Sequence, residues 1–338
     1  MLNPWLSLMP TEPPALALVI PTWNGLELLR QFLPSVIAEA QCWSAQSGQS
    51  HEIIISDDGS NDGTAVWLAE QTSALRVVAS PHNRGFAAAA NAGVFAARAP
   101  IIVLLNNDVV LPAGALDPVL ASFADDDIFG ITFRGLSHPA AQFETGGKLG
   151  IFRRGFWSCW RNYDMSAASA PVVELPDGPS FMLTGGFCAF RRAGFEQLGG
   201  FDPIFAPYYW EDVDLSYRAR KRGWRVLYEP RIQVHHMGQA TTRRHRTPWQ
   251  RAVVIERNRL LFHWRNLDSG PLAWHLLWAH LLLPQMALRG DFAYHAGYAQ
   301  ALRRLPEVFR FRRREIPHWR RPDRDLAVLP PPGAISGE

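Results

Sequence analysis

Ile53-Ile54-Ile55-Ser56-Asp57-Asp58-Gly59-Ser60-Asn61-Asp62-Gly63-Thr64 sets the pattern of the chain. A short apolar run enters a turn of acids, glycines and hydroxyls, and Thr64 opens a helical pattern. Ile53–Ser56 has the length of a buried strand, and turn residues end it. The same unit recurs on both sides. Ala15–Ile20 reads as a strand before a helix at Leu26–Ala40. Leu75–Ala79 precedes a helix at Phe86–Ala97, and Ile101–Leu105 precedes a helix after Pro112. This rhythm predicts an α/β fold, a mostly parallel sheet with helices on both faces. Such sheets bind ligands at the carboxyl ends of their strands. Thr22-Trp23-Asn24, Asp57-Asp58 and Asn106-Asn107-Asp108 all fall there.

Beyond residue 134 the pattern weakens, and irregular structure or a small antiparallel insertion is expected to about 180. A strand at Phe187–Arg191 leads into a helix at Arg192–Leu198 that Gly199-Gly200 stops. Val213–Arg222 reads as a helix and Trp224–Tyr228 as a strand. From Pro248 the chain turns helical and rich in Trp, Leu and Arg. The end, 326–338, with three consecutive prolines, is expected to be disordered.

The 338 residues suffice for one large or two modest domains. A net charge of +3 gives no case for nucleic acid. Lys148 and Lys221 are the only lysines; the other cations are arginines crowded into the second half, a surface suited to anionic headgroups or diphosphates. Cys42, Cys159 and Cys188 lack metal-site spacing and fit a reducing compartment. Prolines interrupt the N-terminal apolar stretch, so no signal peptide is expected. Leu272–Leu288 contains His275, His280, Pro284 and Gln285 and falls short of the ~20 apolar residues of a spanning helix; it reads as a core or interfacial helix.

Two acidic clusters carry the chemistry. Asp108 offers a hard oxygen for Mg²⁺ or Mn²⁺, and His235 or His236, after Ile232-Gln233-Val234, supplies a second ligand. Trp210-Glu211-Asp212-Val213-Asp214 opens a helix, whose N-terminus favours ionised carboxylates. A general base must be ionised and within reach of its hydroxyl. Glu211 and Asp212 diverge around the helix, so one of them faces substrate. The aromatics Phe205, Tyr208, Tyr209 and Trp210 suit a sugar-stacking platform or a core edge. No GxGxxG or GxxxxGK[ST] is present, which removes the main support for dinucleotide and P-loop readings.

In this order, six segments resemble family 2 glycosyltransferases of the GT-A fold, in their rhamnosyltransferase-like branch. They are Val19–Gly25, Ser56–Thr64, Asn83–Gly93, Leu104–Asp108, Gly185–Arg192 and Phe201–Arg218. The resemblance implies an N-terminal extension at 1–14 and a GT-A domain at 15–245. Its nucleotide-binding half spans about 15–133 and its acceptor-binding half about 134–245. A C-terminal helical, membrane-interfacial region at 246–325 and the tail follow. It further implies a nucleotide-sugar site of Pro21, Thr22, Asn24, Asp57, Asp58, Asn83, Gly85, Asn91, Asn106 and Asn107. Gly185, Gly186 and Trp210 would lie beside the acceptor. Asp108 with His236, in preference to His235, would hold the divalent cation, and Asp212, with Glu211, would be the catalytic base. Asn106 departs from the family's DXD motif and lowers the negative charge around the cation.

The implied reaction is an inverting transfer from a dTDP-, UDP- or GDP-linked sugar to a glycan or lipid-linked acceptor in cell-surface polysaccharide synthesis. The implied location is the cytoplasm, at the inner face of the membrane. Two alternatives stay open on sequence: a sugar nucleotidyltransferase and a non-catalytic nucleotide-sugar-binding module. The first wants a basic glycine-rich loop after strand one, which Pro21-Thr22-Trp23-Asn24 is not; the second needs the Asp57 region and has no use for Asp212 or the His pair.

Overall fold

The computed structural model describes residues 13–71, 75–165, 178–238 and 247–330, with a further short strand at Ile335–Ser336. Nearly all of the expected N-terminal extension lies outside these residues.

Strand β1 (Leu16–Thr22) is buried at every position. It runs parallel to β2 (His51–Asp57) on one side and β4 (Ile101–Leu105) on the other, and β3 (Arg76–Ala79) adds in parallel outside β2. Alternate side chains leave opposite faces of a strand. Leu16, Leu18 and Ile20 pack with Leu29, Leu33 and Val36 of α1 (Leu26–Ser47). Ala17 and Val19 pack with Ala87, Ala90 and Val94 of α3 (Phe86–Ala96). With both faces covered, no polar alternation survives. Gly93 lets α3 approach closely, since a Cβ there would lie 2.5 Å from Val19 Cγ1. Helix α2 (Thr64–Glu70) connects β2 to β3.

The expected helix after Pro112 is instead a chain of turns ending in a 3-10 turn at Ala121–Phe123. Buried Glu39 of α1 accepts the N–H groups of Gly114 and Leu116, both at 2.9 Å, and Gly114 has φ +78°. Those bonds, with Pro118 close behind, preclude a regular helix.

After β5 (Val109–Val110), the sheet continues through β6 (Ile128–Ser137) and the later strands β13 (Phe187–Arg191) and β14 (Arg225–His236). Its order is β14-β6-β13-β4-β1-β2-β3, with β13 antiparallel to both neighbours. The weakly patterned region is an antiparallel insertion: β7 (Phe143–Thr145), β8 (Gly147–Lys148), the hairpin of β9 (Ile151–Arg153) and β10 (Phe156–Ser158), and β11 (Asn162–Asp164). β12 (Gly178–Pro179) pairs with β14, and β15 (Ile335–Ser336) with β11.

Helices α4 (Arg192–Leu198) and α5 (Glu211–Lys221) precede the C-terminal set: α6 (Pro248–Asn266), α7 (Ser269–Leu288), α8 (Phe292–Leu302) and α9 (Leu305–Glu315). A second core joins α6 and α8 to Val213 and Tyr217 of α5 and to Trp157 of the insertion. Buried Lys221 pairs with Asp268 and Asp323 at 2.6 Å each, over the Trp319 ring. The tail expected to be disordered from 326 is packed at its start: Leu326 and Val328 are buried, and Val328 bridges to Gly150. Among the described residues, no helix is long and apolar enough to cross a membrane.

Candidate active site

The parallel strands end in a ring of polar turns. Thr22 and Asp57 are in register at the ends of β1 and β2, one residue beyond the pair Pro21 and Ser56. Asp57 accepts from the backbone N–H of Ser60 at 3.2 Å and from its hydroxyl. Asn24, at φ +48°, stitches the two turns: its N–H donates to Ser60 Oγ and its Oδ1 accepts from the Asn61 N–H, both at 2.8 Å. Asp58 faces elsewhere. It accepts the N–H groups of Arg84 (2.8 Å) and Gly85 (2.7 Å), and burial pushes its pKa up. It anchors the turn that carries exposed Asn83. Asn91 lies deeper still, with both ends of its amide on the backbone of Phe201, at 2.8 and 2.9 Å.

Asn107 donates to Thr22 Oγ1 at 2.9 Å, and Gly25 leaves room for that bond: a Cβ would sit 2.3 Å from the amide nitrogen. Asn106 makes no side-chain hydrogen bond among the described residues. Its backbone N–H donates to Gly186 O at 2.7 Å, and the next glycine back, Gly185, donates its N–H to Asp212 Oδ2 at 3.1 Å. The two acidic clusters therefore meet across one dipeptide.

Asp108 lies directly before β5, which pairs antiparallel with the end of β14. Val109 stands opposite His236 and Val110 opposite His235. Neighbouring strand residues point to opposite faces, so one histidine reaches Asp108. It is His236, whose Nε2 lies 3.3 Å from Asp108 Oδ1, while His235 turns edge-on to His138. His236 Nδ1 is 3.6 Å from Glu144 Oε2. Burial pushes the His236 pKa down, but Asp108 and Glu144 outweigh it and the net shift is upward. Asp108 Oδ1 and His236 Nε2 are buried facing each other, with no further hydrogen-bond partner on either atom, so both could turn to a divalent cation. An O,N donor pair suits Mg²⁺ or Mn²⁺ with phosphate and water completing the shell. Among the described residues, no group of three or more His, Cys, Asp or Glu side chains forms a metal cage.

The acid pair opens α5 from a strained turn. Tyr209 (φ +68°) and Trp210 (φ +79°) are both left-handed, a conformation that persists only where its surroundings enforce it. Asn258 of α6 enforces it, donating Nδ2 to the carbonyls of Phe205 (2.7 Å), Tyr208 (3.0 Å) and Tyr209 (2.9 Å). Trp210 offers no open platform. It is 1% exposed and packs on Phe262 and His263, because the turn folds the indole into the second core.

Burial raises the pKa of both acids, Glu211 well above the carboxylate range with the Asp212 charge adding to it. Asp212 accepts two backbone N–H groups, from Gly185 and from Val213 (2.8 Å), whereas Glu211 Oε2 has no partner. Hydrogen bonds to the charged form favour ionisation, so Asp212 is the more readily ionised of the two. Lys148 adds a buried cation whose field reaches Asp212. Burial pushes its pKa down to about 8, and it donates to Thr145 Oγ1 (2.5 Å) and Asn162 Oδ1 (2.6 Å). Glu144, Lys148 and Asn258 carry no site signal in the sequence; the first two lie where periodicity fails, and only the fold brings them to the site.

Residues 13–260 match the family model for glycosyltransferase like family 2. The N-acetylglucosaminyl-diphospho-decaprenol L-rhamnosyltransferase of Mycobacterium tuberculosis is 28% identical over 250 residues, covering 68% of this chain and 78% of the relative. The mannosyltransferase PcManGT from Pyrobaculum calidifontis, solved with GDP-Man and Mn²⁺, superposes with TM-score 0.53 at 18% identity, covering 87% of this chain and 88% of that one. GalNAc-T7 with UDP, GalNAc and Mn²⁺ superposes at 0.58 with 17% identity; the match covers 77% of this chain and 49% of that one. At such identities both structures speak to the fold alone. The strand order, the paired acidic clusters and the family match lead to one assignment: the chain belongs to glycosyltransferase family 2.

Proposed function

We propose that the chain moves a sugar from a nucleoside-diphosphate donor to a hydroxyl of a glycan or lipid-linked acceptor, with inversion, in cell-surface polysaccharide synthesis at the cytoplasmic face of a membrane. The observation that carries this reading is the Gly185-Gly186 dipeptide, which touches Asp212 with one residue and Asn106 with the next. Donor and acceptor chemistry then share one cleft.

Asp57, with Thr22 and Asn24 around it, receives the nucleoside. Asn106 faces ribose or phosphate with an amide not engaged by the protein. Asp108 and His236 hold Mg²⁺ or Mn²⁺, which when bound supplies positive charge against the leaving diphosphate. Asp212 takes the proton of the acceptor hydroxyl as that oxygen bonds to the anomeric carbon. The bond to the diphosphate oxygen breaks on the opposite face, and its electron pair leaves with the diphosphate. Glu211, protonated, leaves Asp212 as the ionised member.

Asp212→Asn is expected to lower transfer by roughly 10²–10⁴-fold while nucleotide affinity changes little. Turnover near wild type in that variant would remove Asp212 from the role of base.

A further inference from the structure

We propose that the outward face of α7, with the tip of the β9–β10 hairpin, docks onto the headgroup boundary of an anionic bilayer. The inference deepens the reading of a membrane-bound acceptor, on which it rests for its purpose but not for its chemistry.

Helix α7 has no Asp, Glu, Lys or Arg along its 20 residues. One face is satisfied within the protein: His275 and Ala279 are buried, and His275 Nδ1 donates to Gly155 O at 2.7 Å. The other face is open and mostly apolar, with exposed polar residues at His280 and Gln285. Trp274 is 49% exposed, Leu277 50%, Leu281 52% and Leu288 90%, at spacings of three, four and seven residues that align them in one stripe. A surface helix ordinarily turns a polar face to water, and a continuous apolar stripe marks an interaction site. Since α7 is anchored along its inner side and unsuited to spanning, it would lie in the membrane plane.

The rim says which apolar partner fits. Arg153 and Arg154 stand exposed at the hairpin tip, and Arg154 lies over the Trp278 ring at 5.8 Å. Neither has an ion-pair partner among the described residues. Unpaired guanidinium beside tryptophan matches the phosphate level of a bilayer, where aromatic rings also collect. A two-fold contact with a second copy would set equivalent surfaces together, bringing arginine rims into proximity with no carboxylate on α7 to offset them. The buried side of α7, opposite the stripe, packs toward the turn before Glu211. The His275 ring stacks on His263 at 4.7 Å, and His263 meets Trp210, the residue before Glu211, at 5.9 Å.

The test is co-sedimentation of the full chain with phosphatidylcholine vesicles and with vesicles enriched in phosphatidylglycerol, at low and high salt. Binding is expected to favour the anionic vesicles and to weaken with salt. Leu277→Ser with Leu281→Ser is expected to lower binding by about tenfold or more, and Arg153→Glu with Arg154→Glu to abolish the preference for anionic lipid. Circular dichroism and nucleotide affinity, unchanged in both variants, would exclude misfolding. Equal sedimentation of wild type and both variants would overturn the proposal. So would a wild-type dimer in light scattering that the leucine variant dissolves, which would assign the stripe to a second copy. Release of nucleoside diphosphate with a soluble acceptor, assayed without vesicles, is read separately: its absence would count against the transferase reading and leave the docking result standing.

Discussion

His236 stands between two carboxylates, and its two ring nitrogens have different tasks. Glu144 faces Nδ1 and Asp108 faces Nε2. A carboxylate on the far nitrogen would fix the tautomer and leave the other lone pair for the proposed cation. Glu144→Gln is therefore expected to weaken Mn²⁺ binding by about 10-fold or more, read by calorimetric titration in the presence of nucleotide. His235→Gln, on the opposite face, is expected to leave it unchanged. Equal affinities in wild type and Glu144→Gln would remove the orienting role. Asp57, Asp108 and Asp212 stand out in the sequence because each closely follows an apolar or aromatic run. In the sequence the preference for His236 over His235 rests on resemblance alone; the register with β5 sets the two on opposite faces. Glu144 and Lys148 carry no local signal, since short strands paired far along the chain bring them to the site.

Among the elements, α5 is held at both ends. Asp214, fully buried, accepts from Arg218 Nε and Asn266 Nδ2 at 2.7 Å each, with Arg265 Nε at 3.3 Å. Arg218 also caps the carbonyls of Leu198 and Gly200, and Arg265 reaches Asp202 at 2.7 Å. Removing one partner of a buried ionic network leaves the others charged and unsatisfied. Asp214→Ala is expected to cost about 3–5 kcal/mol, seen as a lower urea midpoint with an unchanged slope; a smaller loss would mean water enters the network. The boundaries of α5 were nearly legible from its acids and from Gly223. Trp210 was not, because its burial depends on a left-handed turn that α6 imposes from some fifty residues away. The turns after Pro112 escaped for a like reason: their capping acid, Glu39, belongs to another helix.

At the scale of the whole molecule, the GT-A domain and the C-terminal helices share a core with two stacked histidines inside it. His263 Nε2 accepts the Trp157 N–H at 2.8 Å, so its Nδ1 carries the hydrogen donated to Arg259 O. Burial lowers the His263 pKa well below its ordinary value and that of His275 to about 4. Both rings are neutral in the fold, whereas the unfolded chain protonates them below about pH 6.5. The unfolded state then binds more protons, so stability falls as pH drops from about 6.5 toward 4, by up to ~1.4 kcal/mol per pH unit for each ring. For His275 the loss levels off near its folded pKa. Urea midpoints across that range test this, and a flat profile would mean the rings accept protons within the fold.

The placement of the two lysines has a further consequence. Lys148 and Lys221 are both buried, so every accessible side-chain cation among the described residues is a guanidinium or an imidazole. An amine-selective reagent finds no lysine on the folded surface. Acylation at these positions becomes a clock for local opening: at Lys148 for the insertion beside Glu211 and Asp212, and at Lys221 for the segment around Trp319 and Asp323 that packs on α5.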